Sequence, residues 1–316
     1  MSRIRTALGV TLPLSVLFTH STVAAMAEAI RSGQASRTVL VPITSRGGGP
    51  TSYWIHPVGG DVVCYRDLAQ LIGVPVTGVQ VPDGLPATVG LAELADLYAE
   101  AIAEDATGPQ VQVAGWSMGG VLALEVAERL AARGFTVAPV LAIDLMEHPD
   151  EDRGQVSHAE LLAWFARDVA HIAALPDPLA GCDLAQEERP DDVLAERLRS
   201  GGLLDPDTDA ETIGALVGRF TVNSRALSAH RPGAYSVPVV LIRAGQGASE
   251  AVTAAWATRL KDLVAVHTVD GDHYSVFRPD RIDALATAVR ASWDTGTQDH
   301  RVASPSLGSD PSERKS

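Results

Sequence analysis

The stretch Val111-Gln112-Val113-Ala114-Gly115-Trp116-Ser117-Met118-Gly119-Gly120, running on into Val121 to Leu130, decides the fold. An apolar run of strand length leads into a serine between glycines, and a helical pattern follows at once. Strand, Gly-x-Ser-x-Gly and helix, in that order, make a nucleophile elbow. The serine of such an elbow sits on a sharp, strained turn, so its hydroxyl stands proud of the sheet. Side chains two residues before and two after would collide there, and Gly115 and Gly119 hold those places. The helix starts right after Ser117, so its free N–H groups and its dipole favour negative charge near the hydroxyl. In a chain with 28 glycines the bare pattern is cheap, and the strand and helix around it give it weight.

Outward from the elbow, strands and helices alternate. Tyr53 to His56, Val74 to Val81, Gln110 to Ala114, Thr136 to Leu145, Val237 to Arg243 and Val264 to Val269 read as strands. Asp61 to Ile72 (Val62, Leu68, Leu71 and Ile72 inward), Leu91 to Ala103, Ala254 to Leu263 and Arg281 to Trp293 read as helices. Near-continuous apolar strands between helices predict an α/β fold, a mostly parallel sheet covered on both faces. Sites in such sheets form at the carboxyl ends of strands, where the elbow serine lies. From about 147 to 232 the pattern is purely helical: Ala159 to Ala173, striped by Leu161, Leu162, Phe165, Val169 and Ile172, then Asp191 to Arg199 and Asp209 to Ala229. This insertion reads either as a lid over the active edge or as a plain extra helical layer.

Composition sets outer limits. At 316 residues, 46% hydrophobic and 20% charged, the chain suits one large domain or one domain plus appendages. A net charge of −14 argues against nucleic acid, whose phosphates would repel it. Cys64 and Cys182 supply neither a disulfide framework nor metal spacing. No apolar stretch is long enough to span a bilayer. Arg3, Arg5, the segment Leu8 to Phe18 and Val23-Ala24-Ala25 imitate a signal peptide. The apolar part is short and holds Pro13, while Ser21 can cap a helix with Val23, Met26, Ala27 and Ile30 on one face, so a folded helix in a cytoplasmic protein is favoured. Arg31 to Pro50 reads as a linker entering a first strand, and 298–316, rich in Ser, Pro and charge, as a disordered tail.

A serine needs a base. Of nine histidines, His273 is best placed, in the loop Asp270-Gly271-Asp272-His273 after the last apolar strand. His56 precedes Pro57-Val58-Gly59-Gly60, the loop that supplies a second oxyanion donor in α/β-hydrolases, so it reads as structural. The N–H groups of Val58 and Met118 are the oxyanion-hole candidates. For the acid, Asp144 at the end of an apolar strand competes with Glu250, whose surroundings from Gly245 to Ser249 read as a flexible loop. His148 and His158 read as surface residues of the insertion. No metal site is visible, and the glycines 47 to 49 lack a P-loop lysine.

With these residues placed, the chain resembles a terminal thioesterase domain of nonribosomal peptide synthetases and hybrid peptide/polyketide synthetases. The resemblance spans roughly residues 38–295. It rests on His56-Pro57-Val58-Gly59-Gly60, the Gly-Trp-Ser-Met-Gly-Gly elbow, Ala142-Ile143-Asp144, Asn223 to Ala226 with Arg231-Pro232, and Gly271-Asp272-His273-Tyr274-Ser275. Tryptophan before the serine is more like synthetase-borne domains than stand-alone editing thioesterases. The resemblance implies an α/β-hydrolase fold over 51–297, and it favours Asp144 as the acid. It implies no bound cofactor. The substrate would be an acyl or peptidyl thioester on the phosphopantetheine arm of a carrier domain, released through an acyl-serine as acid or macrocycle. Residues 1–30 resemble the end of a carrier protein but lack its Gly-Gly-x-Ser site, so the resemblance implies an excised or truncated piece that cannot load itself. A stand-alone esterase or editing thioesterase, an exported lipase and a catalytically silent docking module remain as alternatives.

Overall fold

The protein is described by a computed structural model covering residues 4, 7–10, 12, 16, 20, 22–32, 38–146, 156–247 and 250–298. Arg3, Arg5, Pro13, Leu14, Leu17, Phe18, Ser21, His148 and the tail beyond Gln298 lie outside the described residues.

In chain order the helices and strands are α1 (Val23–Ser32), β1 (Leu40–Thr44), β2 (Ser52–Ile55), α2 (Arg66–Leu71), β3 (Val76–Val79), α3 (Leu91–Asp105), β4 (Gln110–Trp116), α4 (Met118–Ala132), β5 (Thr136–Val137), β6 (Val140–Ile143), α5 (His158–Ala173), α6 (Pro190–Ser200), α7 (Ala210–Ala229), β7 (Tyr235–Ala244), α8 (Glu250–Ala257), β8 (Leu260–Val269) and α9 (Ile282–Gln298). The sheet runs β1-β3-β2-β4-β6-β7-β8, with β5 attached to β4. Only β1 is antiparallel to its neighbour; the other pairings are parallel. This is the α/β-hydrolase arrangement that the sequence predicts.

The central strands β2, β3, β4 and β6 are buried on both faces, which is why they read as unbroken apolar runs, whereas the edge strand β8 exposes Val264 and Val266. Tyr53 and Ile55 point into a core built with α3 and α4; Trp54, between them, points into a second core with α2 and α9. The elbow helix α4 buries Met118, Val121, Leu122, Ala123, Leu124, Val126 and Ala127, so it is apolar nearly all round, as a central helix must be. The insertion has its own third core, where Leu162, Phe165, Leu194, Leu198, Ile213, Val217 and Phe220 meet. It is tied to the body at its exit. Glu125 of α4 accepts from the Tyr235 hydroxyl at 2.8 Å, lies 2.7 Å from Arg129 and lies 3.2 Å from His230 just beyond α7. Burial pushes the Glu125 carboxyl up, but these partners outweigh it and hold the group down at about 2.

Several elements differ from the sequence reading. The strand from Thr136 breaks at Ala138-Pro139, because proline has no N–H for the ladder. Leu260 to Leu263 follow Trp256 at helical spacing, yet they are strand: β7 is ten residues long and pairs back to Leu260, so sheet pairing overrides the local period. Asp61 to Ile72 is split into a 3₁₀ turn (Val63–Tyr65) and α2, and Leu71 is exposed. Ile172 is also exposed, while Ala166 and Ala170 turn inward. On α1 the buried residue is Ala29, Val23 is exposed, and the Thr22 hydroxyl accepts from Ala25 N–H at 3.1 Å.

Candidate active site

Sterics build the elbow. Ser117 sits at φ 57°, ψ −128°, a conformation that a non-glycine residue holds only when its surroundings enforce it. They do. Its N–H donates to Ile143 O at 2.9 Å, and its carbonyl accepts from Gly120 N–H at 2.9 Å. A Cβ on Gly115 would overlap the Gly119 carbonyl, and a Cβ on Gly119 would overlap the end of β2 at Ile55 O. The two glycines expected around the serine are therefore required by the backbone. The Tyr65 hydroxyl accepts from Trp116 N–H at 3.0 Å and donates to Ile55 O at 2.7 Å, lacing the elbow to β2.

Asp144 leaves the end of β6 at φ 45° and is buried. One carboxylate oxygen accepts from Ala244 N–H at 2.9 Å, and the other lies 2.7 Å from His273 Nδ1. The loop bearing His273 is shaped by Asp272, whose carboxylate accepts from the N–H groups of Tyr274 (3.0 Å) and Ser275 (2.9 Å). Burial opposes that charge, but these backbone donors win and keep the carboxyl below its ordinary range. Trp116 packs on the imidazole of His273, ring centres 4.8 Å apart. Glu250, the rival acid, starts α8 with its side chain 90% exposed, 4.0 Å from Arg243.

The loop after β2 is fixed by its carbonyls. His56 is fully buried; its Nδ1 lies 2.7 Å from Pro57 O and its Nε2 2.7 Å from the Tyr98 hydroxyl. A carbonyl can only accept, so the proton sits on Nδ1 and Nε2 accepts from tyrosine. Pro57 O also accepts from Gly60 N–H at 2.9 Å. The Pro57–Val58 peptide is trans and planar, so anchoring its carbonyl aims the Val58 N–H the opposite way. His56 thus orients a backbone donor and has no ring nitrogen left to act as base.

Two residues near the site have no role that the sequence assigns, although Asn223 lies in a stretch that carries the resemblance. Asn223 of α7, buried, donates to Val58 O at 2.8 Å across 165 residues of chain. Gly247 lies against the acid: a Cβ there would come within 2.6 and 2.7 Å of the Asp144 carboxylate oxygens. The segment expected to be a flexible loop is, through Gly247, a packed turn, since Gly245 N–H donates to Val269 O and Gln246 N–H to Gly271 O, both at 2.8 Å.

These groups converge at the carboxyl ends of β2, β4, β6 and β8 on a cavity of about 390 Å³. Ser117 and His273 both line it, with Val58, Met146, Tyr274 and residues of α5 and α7. Among the described residues no group of three or more His, Cys, Asp or Glu side chains is arranged to hold a metal ion, and no helix is long and apolar enough to cross a membrane. A serine on a strained turn, an imidazole on a buried carboxylate and a backbone peptide held by its carbonyl are the kinds of part that acyl transfer uses.

The family model for the thioesterase domain matches residues 51–293. A dimodular nonribosomal peptide synthase of Bacillus subtilis (strain 168) is 30% identical over 266 residues, 77% of this chain and 10% of that protein. Nonribosomal peptide synthetase ucdA of Aspergillus ustus is 24% identical over 307 residues, 90% of this chain and 32% of that protein. The chain thus spans a tenth to a third of the length of these relatives. Among solved structures, the wild-type Vlm2 thioesterase domain matches with TM-score 0.58 at 19% identity, covering 80% of this chain and 96% of that one. Holo-AB3403, a four-domain nonribosomal peptide synthetase bound to AMP and glycine, matches with TM-score 0.72 at 24% identity, over 92% of this chain and 23% of that one.

Proposed function

Because this chain belongs to the thioesterase-domain family, we propose that it releases a peptidyl or peptidyl/polyketide chain from the phosphopantetheine arm of a carrier domain, by hydrolysis or macrocyclisation. The observation that carries the proposal is the shared cavity wall of Ser117 and His273, with the imidazole 2.7 Å from the buried Asp144 carboxylate. The synthetase relatives support a carrier-borne substrate. Residues 1–30 we read as the end of that carrier, 51–297 as the thioesterase with its lid at about 147–232, and the cytoplasm as its place of work.

In the mechanism, the Asp144 carboxylate accepts from Nδ1–H of His273, which leaves the Nε2 lone pair for the serine proton. Ser117 Oγ attacks the thioester carbon as its proton passes to Nε2. The carbonyl oxygen gains the negative charge and is met by the N–H groups of Val58 and Met118, the latter at the start of α4. Collapse breaks the C–S bond, and the imidazolium returns its proton to the departing thiolate. The acyl-serine then meets water, or an amine or hydroxyl of the same acyl chain. His273 removes that nucleophile's proton, a second tetrahedral intermediate collapses, and the proton goes back to Ser117. No cofactor enters these steps.

The test is product analysis with synthetic peptidyl N-acetylcysteamine thioesters. Wild-type protein should release thiol with the matching acid or cyclic product by mass, and Ser117→Ala should abolish release. Turnover persisting in Ser117→Ala would reject the proposal.

A further inference from the structure

One carboxylate in the cavity wall has no part in the release chemistry. Asp168 lies four residues after Trp164 on α5, so the two side chains leave one face of the helix a turn apart, and both line the cavity. Phe220, Tyr274 and the hydroxyl-bearing Ser224 and Ser228 line it with them. The stacked rings of Tyr274 and His171, 4.8 Å apart, stand beside this end of α5.

Two other carboxylates shielded from solvent are answered by donors. Asp144 has Ala244 N–H and His273; Glu125 has Arg129, Tyr235 and His230. Asp168 is answered less well. Burial, with the like charge of Asp61, pushes its carboxyl up to about 6, against the opposing effects of the Tyr274 hydroxyl and the rings of His273 and His171. Its hydrogen-bond donor is a single neutral hydroxyl, that of Tyr274, and it lies in a cavity lined by the aromatic side chains Trp164, Phe220 and Tyr274. A half-buried carboxylate beside an indole is the pairing that recognises an organic cation: the carboxylate supplies charge and the ring its negative face. The chain's net charge of −14 draws such a group in.

We propose that Asp168 and Trp164 form a subsite for a cationic group of the acyl chain, a protonated amine or a guanidinium carried close to the thioester. The proposal rests on the reading of this cavity as the site that accepts an acyl thioester. It adds the substrate class: chains ending in a basic residue are preferred over neutral or acidic ones of the same size.

The experiment uses matched tripeptidyl N-acetylcysteamine thioesters with lysine, norleucine or glutamate at the terminal or the penultimate position. Wild-type protein should rank lysine over norleucine over glutamate in kcat/KM at one of these positions. The first step should be about tenfold or more, carried mainly by KM, and should shrink as salt is raised. Asp168→Asn should bring the lysine-to-norleucine ratio to within about twofold of one. A wild-type ratio near one at both positions, or a ratio unchanged in Asp168→Asn, overturns the subsite while leaving the release reading intact. Failure to turn over any thioester, with Ser117 unlabelled by a fluorophosphonate, overturns both. Should Asp168→Asn not fold, the wild-type ranking and its salt dependence decide the matter.

Discussion

Asp144→Asn puts the most weight on the geometry. The native carboxylate has two oxygens for two donors, Ala244 N–H at 2.9 Å and His273 Nδ1 at 2.7 Å, and the site is buried. Asparagine keeps the shape and loses one acceptor. With its carbonyl on Ala244 N–H, its NH₂ faces Nδ1, which must then accept. The imidazole proton moves to Nε2, the nitrogen needed for the serine proton. With the amide flipped, NH₂ meets the Ala244 N–H, and two donors face each other in a dry site at a cost of about 1–3 kcal/mol. In both cases the charge that supports the imidazolium is gone. The corresponding change in a serine protease costs about 10⁴-fold in kcat, or ~5.4 kcal/mol at 1.36 kcal/mol per decade. We expect kcat to fall about 10³- to 10⁴-fold with KM changed by less than about threefold. The assay follows thiol release from an acyl N-acetylcysteamine thioester, with circular dichroism to verify folding. Glu250→Gln, at a side chain 90% exposed, is the control and should stay within about twofold. A folded Asp144→Asn protein with more than about a tenth of wild-type kcat would refute the reasoning.

Three further outcomes follow from particular contacts. Gly247→Ala places a methyl against the Asp144 carboxylate, held by two hydrogen bonds, and should lower kcat about tenfold or more with little change in KM; steady-state kinetics check it. His56→Phe keeps the bulk but removes the donor to Pro57 O, loosening the Val58 N–H, so kcat should fall about ten- to a hundredfold without loss of Ser117 labelling. Glu125→Gln tests pH-dependent stability. The folded carboxyl sits at about 2, below its ordinary value, so the charged form stabilises the fold above about pH 4.5, and that support is lost as pH falls toward 2. Thermal melts should show the variant lower by roughly 5 °C at pH 7, with the gap closing as acid is added.

What the sequence reveals follows from the range of the physics. Gly115 and Gly119 are readable because the elbow's collisions involve near neighbours in the chain. Asp144 is readable because a carboxylate closing an apolar run needs a partner, although the run alone could not separate it from Glu250. His56 was legible as structural from its loop; the Pro57 carbonyl and Tyr98 explain why. The places of Asn223, Gly247 and Asp168 are not legible in the sequence, because each neighbours groups brought near only by the fold, such as Val58 from 165 residues away. The start of β8 reads as helix for the same reason: its local spacing is helical, and pairing with β7 decides it.

The most direct measurement is intact-protein and peptide mass spectrometry after treatment with a peptidyl fluorophosphonate, on wild type and on His273→Ala. The account predicts one adduct, on Ser117, formed rapidly in wild type and at least about 10³-fold more slowly without the imidazole. An adduct on another residue, or labelling of Ser117 at an unchanged rate in His273→Ala, would contradict it.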